Sequence, residues 1–190
     1  MNDSQEAELV SLVRGAPWLL RALHAVRALG LPAWCIGAGA VRNLVWDARH
    51  GFAAPSHLPD VDVAHFDAAH LDAKRDAAFE RELARVMPET AWDVTNQAAV
   101  HTWYEARFGR AVPPLRSLAE GVGTWPEYAT CVGVTLRADD GIDVVAPHGL
   151  GDLFAMVVRR NPARVTALAY RARIAQKRFH ERWPRVTIVD

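Results

Sequence analysis

Cysteine is scarce in this chain of 190 residues, with two only, Cys35 and Cys131. Each lies in an apolar run, where a free buried thiol is expected and no disulfide partner. Neither they nor the eight histidines show the spacing of a zinc or redox motif. Net charge is lacking too, because 22 basic residues balance 22 acidic ones, so whole-chain charge points to no polyanionic partner. No apolar run approaches the roughly 18 residues needed to span a bilayer. The first ten residues, MNDSQEAELV, lack the basic start and apolar core of a signal peptide. No membrane partner and a cytoplasmic location are therefore expected. No repeat, low-complexity stretch or long linker divides the chain. One domain over residues 1–190 is expected, with N-terminal helices in 1–30 and a C-terminal basic helix in 159–185 as parts of it.

Half the residues are hydrophobic (51%), enough for a core, and their periodicity gives a coarse order of elements. Ser4 can cap a helix reaching about Arg14, and PWLLRALHAVRALG makes a second that Gly30 stops. AWCIG (33–37) reads as a buried strand, AVRNLVWDARHG as a helix ended by Gly51, and 60–66 as a strand. A helix over 71–87 stops before Pro88, and AWDVT (91–95) is another strand. After a stretch rich in Trp, Tyr and Pro, ATCVGVTL and IDVVAP flank RADDG, a good hairpin turn. LGDLFAMVVRR and residues 163–182 read as closing helices. The pattern is α+β, or mixed α/β.

The stretch HLPDVDVAHFD (57–67) carries the chemistry. Asp60 and Asp62 stand two apart at the start of a strand, so their carboxylates share one face. Two like charges on a half-buried face repel and need neutralising. An ion pair with one of the arginines is the plainest answer. A dinucleotide site is a second, since CIGAGAVRN follows a strand and Asp60 comes about twenty residues later, but Arg42 stands where that fingerprint wants a third small residue. An aspartate-nucleophile phosphatase is excluded, because its carboxylates close a strand and these open one.

A fourth answer is a pair of divalent cations serving nucleotidyl transfer. Such ions clamp the attacking and leaving oxygens and require hard oxygen ligands. Two carboxylates on one strand and a third on its neighbour supply them. Gly37-Ala38-Gly39 forms a strand-to-helix turn whose backbone N–H groups can approach a triphosphate, with Arg42 one helical turn on. Asp93, alternating with Trp92 and Val94, is preferred as the third carboxylate over Asp143 in GIDVV, since turn and edge aspartates are commonly just solvated.

That order of parts resembles the polymerase-β-type nucleotidyltransferase superfamily, and within it a nucleotidyltransferase-like family of bacterial proteins. The blocks that carry the likeness run from WCIGAGAVRNLVWDARHG through DVDVAHFD, WDVTNQAAVH, WPEYATCVGV and APHGLGDLF to KRFHERWP. The resemblance implies a twisted mixed sheet backed by helices, with magnesium held by Asp60, Asp62 and Asp93. Two Mg2+ ions are expected during catalysis, with Mn2+ a substitute. The nucleoside triphosphate is the expected partner, and the acceptor is a small molecule, a protein or RNA. The superfamily's usual glycine-serine is here Gly37-Ala38, without a hydroxyl, which keeps open a non-catalytic nucleotide-binding or protein-interaction module that retained the fold.

Asn96, with Gln97 and His101, either lines the nucleotide or acceptor pocket or caps a helix. Asp152 is expected to cap the helix that it opens. Residues 159–185 hold eight arginines and Lys177 against Glu181, a surplus that would attract phosphates or sit as a solvated helix face.

Overall fold

The computed structural model describes residues 3–189. Its centre is a five-stranded sheet in the order β3-β2-β1-β4-β5. The strands are β1 (Trp34–Gly37), β2 (Val61–His65), β3 (Trp92–Asn96), β4 (Gly133–Leu136) and β5 (Ile142–Val145). Within this sheet β2 and β3 run parallel, and the other neighbouring pairs are antiparallel. The fold is therefore α+β with a mixed sheet, as the element order implied. Because β1 and β2 are antiparallel, the Gly37–Gly39 turn does not open a parallel βαβ unit. A dinucleotide site requires that unit, so the dinucleotide reading falls.

Alternation along the strands sorts the side chains onto two faces. Ile36, Val61, Val63, Val94, Val134 and Ile142 join the main core with the buried side of helices α1 (Asp3–Arg14), α2 (Pro17–Ala28), α3 (Gly39–His50) and α4 (Ala73–Val86). Asp72 caps α4 by accepting the Lys74 N–H at 2.9 Å. Gly51, at φ +68°, ends α3 where a side chain would be strained. Ser4 already lies inside α1 rather than at its cap.

The other face is thinner. Cys35, Ala64 and Cys131 form a small cluster with Leu118 and Val122, the latter two from α6 (Leu118–Val122). Both cysteines are free and buried, as expected, and burial pushes both thiols up to about 12. Beyond the end of β3, a short 3-10 turn (Gln97–Ala99) leads into α5 (Val100–Phe108).

The C-terminal third differs from the helical expectation. Helix α7 covers only Gly151–Phe154, and Met156 at φ +55° turns the chain out of it. The β-branched Val157 and Val158 then pair, as β6 (Val157–Arg159), in parallel with β7 (Thr187–Val189). The basic segment is thus not one helix but α8 (Ala167–Lys177) and α9 (Phe179–Arg182), broken at Arg178, which takes the left-handed conformation (φ +50°). Asp152 does not cap α7. It lies in the first turn and pairs with Arg159 at 3.0 Å. No described helix is long and apolar enough to cross a membrane.

Candidate active site

The thin face of the sheet carries the aspartates. Asp62 of β2 is in register with Asp93 of the parallel β3, so the two lie side by side on one face, separated by a single inter-strand spacing of about 4.8 Å. Asp60 precedes β2, and Val61 is anchored there by donating to the Ala91 carbonyl at 2.8 Å. Asp143 is elsewhere. It sits on β5 at the far edge, three spacings (roughly 14 Å) from β2, and accepts from Arg137 at 2.7 Å.

Asp62 is half-buried, and its carboxyl is pushed up to about 6 from an ordinary 3.8. Burial is the largest cause, followed by the charges of Asp60 and then Asp93. Two influences oppose them, a hydrogen bond from the Gly39 backbone N–H and the more distant charge of Lys177. The plain ion-pair reading of the pair is thus not met, since no arginine bridges Asp60 or Asp62 among the described ion pairs.

The glycine turn is built for packing as much as for approach. A side chain at Gly37 would come within 2.7 Å of the Trp125 ring and the Val132 carbonyl. Positive φ falls at Ala38 (+48°), not at Gly39. The Ala38 N–H is committed to the Val132 carbonyl at 3.0 Å, and the Gly39 N–H lies toward Asp62, whose charge it favours. The Ala38 N–H is thus used within the fold, while Ala38 and Gly39 border the cleft beside Asp62.

That cleft, of about 250 Å³, is walled on one side by Asp60, Asp62, Leu58 and Pro59, and on another by Trp125 and Pro126. Facing the carboxylates are four cations, Arg42, Arg173, Lys177 and Arg182. Arg42, expected in this place, is buried, with its guanidinium 5.1 to 5.4 Å from the ring centres of Phe179, Trp46 and Trp183. Its Nε is buried and unpartnered, and desolvation is the main cause that brings the group down to about 10. A charge kept in such a cage is paired with too little negative charge of its own, which suits an anionic ligand.

The other three cations come from the surplus in 159–185. Arg173 and Lys177 stand four apart on α8 and so share a face. Arg173 is steered by Glu127, almost wholly buried, which accepts both its Nε and, at 3.1 Å, its Nη2, while Thr130 donates to the same carboxylate at 3.0 Å. Arg182 donates to the His57 carbonyl at 2.6 Å and thus joins α9 to the loop before Asp60. Asp47 fastens the same loop, accepting from Ser56 N–H and, at 2.7 Å, from the Trp183 indole. Sequence reading missed Trp125, Glu127 and Asp47 altogether. It noticed the basic surplus without assigning it to the site.

Asn96 is not at the cleft. Its buried side chain accepts from Asp67 and Ala98 N–H and donates to the carbonyls of Asp67 and His70, which satisfies its full capacity. It caps the 3-10 turn and staples the loop after β2. His101 donates locally from Nδ1 to the Ala98 carbonyl at 2.9 Å.

Asp60, Asp62 and Asp93 are the residues that could hold a hard divalent cation. Among the described residues no three carboxylate, imidazole or thiol groups already converge on one point. The donor set still fits a cation that keeps water and phosphate oxygens among its ligands, as magnesium does, and the unmet repulsion at Asp62 is the observation that favours one.

Comparison with known proteins agrees with the fold. The model of a family described as nucleotidyltransferase matches residues 24–188. No curated protein matches the sequence. A solved structure described as revealing a CCA-adding enzyme head domain superposes with a TM-score of 0.80 at 24% identity, covering 97% of this chain and 95% of that one. A CCA-adding enzyme in complex with CTP gives 0.54 at 16% identity, over 96% of this chain and 42% of its own. A tRNA-processing enzyme complex gives 0.52 at 19%, over 88% and 42%. The chain thus spans under half the length of these last two, and all three likenesses speak to the fold. With the family model covering most of its length, the chain belongs to the nucleotidyltransferase family.

Proposed function

We propose that this chain is a metal-dependent nucleotidyltransferase that moves a nucleoside monophosphate from a triphosphate to a hydroxyl acceptor, with pyrophosphate leaving. The observation that carries it is the polarised cleft, with Asp62 crowded by Asp60 and Asp93 on one side and four cations on the other. The solved CCA-adding enzyme with CTP supports a triphosphate as donor. Arg42, Arg173, Lys177 and Arg182 bind the β- and γ-phosphates and keep their charge as pyrophosphate departs. Asp60 and Asp62, and Asp93 beside them, hold the divalent ions, which supply charge neutralisation at the reacting phosphorus. The acceptor oxygen bonds to the α-phosphorus as the α–β bridging bond breaks, and its proton passes to the Asp93 carboxylate and then to water.

Calorimetry with ATP, GTP, CTP and UTP, each with and without Mg2+ or Mn2+, tests the donor half. Triphosphate binding that requires the cation is expected, followed by pyrophosphate release when acceptors are supplied. Cation-independent binding, or none, overturns the reading. Ala38 favours one rival, because this position offers no hydroxyl to a phosphate and its own N–H is committed to the Val132 carbonyl. On that rival the protein binds the triphosphate with its cation yet releases no pyrophosphate with any acceptor.

A further inference from the structure

Helix α5 buries little of itself. Of its nine residues only Val100 and Tyr104 are buried, and Phe108 at its end is 55% exposed. Its aromatics gather instead into a ridge, with the Tyr104 and Phe108 ring centres 4.5 Å apart and Trp103 6.1 and 6.5 Å from them. Arginines interleave with the rings. Arg107 lies 6.0 Å from Trp103 and 5.6 Å from Phe108, while Arg110 and Arg164 lie 5.9 and 5.2 Å from Tyr104.

Among the described residues Arg107, Arg110 and Arg164 make no ion pair, and Glu105 is the one carboxylate between residues 98 and 119. Arg164 is held down by burial and by the nearby charge of Arg110. Two guanidinium groups sharing one tyrosine ring without an anion mirror the crowded aspartates of the cleft, with the sign reversed. The ridge is also tied to the cleft at both ends. Helix α5 follows the Asp93 strand through one 3-10 turn, and Asn161, on the loop of Arg164, donates to the Gly123 and Trp125 carbonyls at 2.7 and 2.9 Å.

We propose that this ridge docks single-stranded nucleic acid, whose unpaired bases stack on Phe108 and Trp103 and whose phosphates meet Arg107, Arg110 and Arg164. Charge complementarity and the alternation of rings with cations select that occupant. An acidic peptide would leave the rings without partners, and an anionic membrane would demand a broader apolar area than one exposed phenylalanine. Resting on the transferase reading, the bound strand is the acceptor, with its terminal hydroxyl led along the 160–164 loop to the cleft.

Fluorescence anisotropy with labelled RNA and DNA strands of about 12 nucleotides, without triphosphate, tests the surface on the full chain. Salt-sensitive binding is expected, weaker for a duplex of the same sequence. Phe108→Ala and Arg110→Ala, both at exposed positions, should each lower strand affinity about tenfold while leaving triphosphate binding as in wild type. No strand binding by the wild type, equal binding of the duplex, unchanged affinity in both variants, or stronger retention by vesicles of anionic lipid would each overturn the proposal. Absence of strand binding with cation-dependent triphosphate binding intact sinks this inference alone. Strand binding without triphosphate binding sinks the transferase reading and leaves the surface standing.

Discussion

Asp62 and Val63 are neighbours on β2, yet they point to opposite sides of the sheet and into opposite environments. Val63 is 1% exposed among Ile36, Val134 and the helices packed over them. Asp62 lies on the thin face, beside two further carboxylates and opposite four cations. One face lowers free energy by removing apolar area from water, at about 25 cal/mol per Å². The other keeps like charges in proximity and raises the cost of ionising one of them. A sheet of five strands can carry both because alternation isolates the two sides: the helix-packed face supplies the stability that the charged face draws down.

If that division holds, a substitution on the packed face should change stability and leave ligand binding alone. Ile36 is fully buried, one residue before the glycine turn. Ile36→Ala should destabilise the protein by about 2–5 kcal/mol, read from denaturant unfolding. Below its unfolding transition, triphosphate affinity should stay within about twofold of wild type. A large affinity loss in folded protein would show that the two faces are coupled.

The charged face can be divided in turn. Asp93 adjoins Asp62, whereas Asp143 lies on the same sheet at the far edge with Arg137 as its partner. Asp93→Ala should lower transfer by on the order of 10²–10³, the scale of losing one preorganised electrostatic group, and should retain part of the triphosphate binding. Asp143→Ala should leave transfer unchanged and cost at most about 1 kcal/mol of stability, as exposed ion pairs do. The reverse outcome, measured as pyrophosphate release, would move the third carboxylate to β5.

How far the sequence revealed these faces depends on the distance over which each signal acts. The packed face was legible, because the apolar run AWCIG and the period-two alternation in DVDVAHF and AWDVT survive folding unchanged and local caps end the helices. The acidic half of the site was legible for the same reason, since Asp60 and Asp62 share a strand and Asp93 lies on the next one in chain order. The basic wall was not. Arg173, Lys177 and Arg182 reach the cleft only because α8 and α9 fold back over the loop before Asp60, a contact with no local trace. Glu127 reads as an ordinary loop residue until Arg173 arrives. The strands β6 and β7 were missed because three residues each are too few for periodicity, and Val157–Arg159 follows a helical pattern that Met156 interrupts only through its backbone. Asn96 was ambiguous in sequence, and its partners at 67 and 70 decide the matter.

The smallest effect concerns pH and sharpens the contrast within β2 itself. The carboxyl of folded Asp62 is raised to about 6 from an ordinary 3.8. Between those values the folded chain retains a proton that the unfolded chain has lost. Stability of the cation-free protein should therefore fall as pH rises through about 4 to 6, and the penalty should be complete above it. Asparagine cannot ionise, yet its side-chain oxygen can still accept the Gly39 N–H. Asp62→Asn should accordingly be more stable than wild type at pH 7 by on the order of 1 kcal/mol, a figure kept small because the carboxylate still reaches solvent, and should match it near pH 4. Adding Mg2+ should close the gap by stabilising the wild type and not the variant. The readout is the thermal midpoint of both proteins at pH 4 and pH 7, with and without the cation. A variant less stable than wild type at pH 7 without Mg2+ would mean that the carboxylate is already neutralised by the cations across the cleft, and the need for a bound divalent ion would disappear with it.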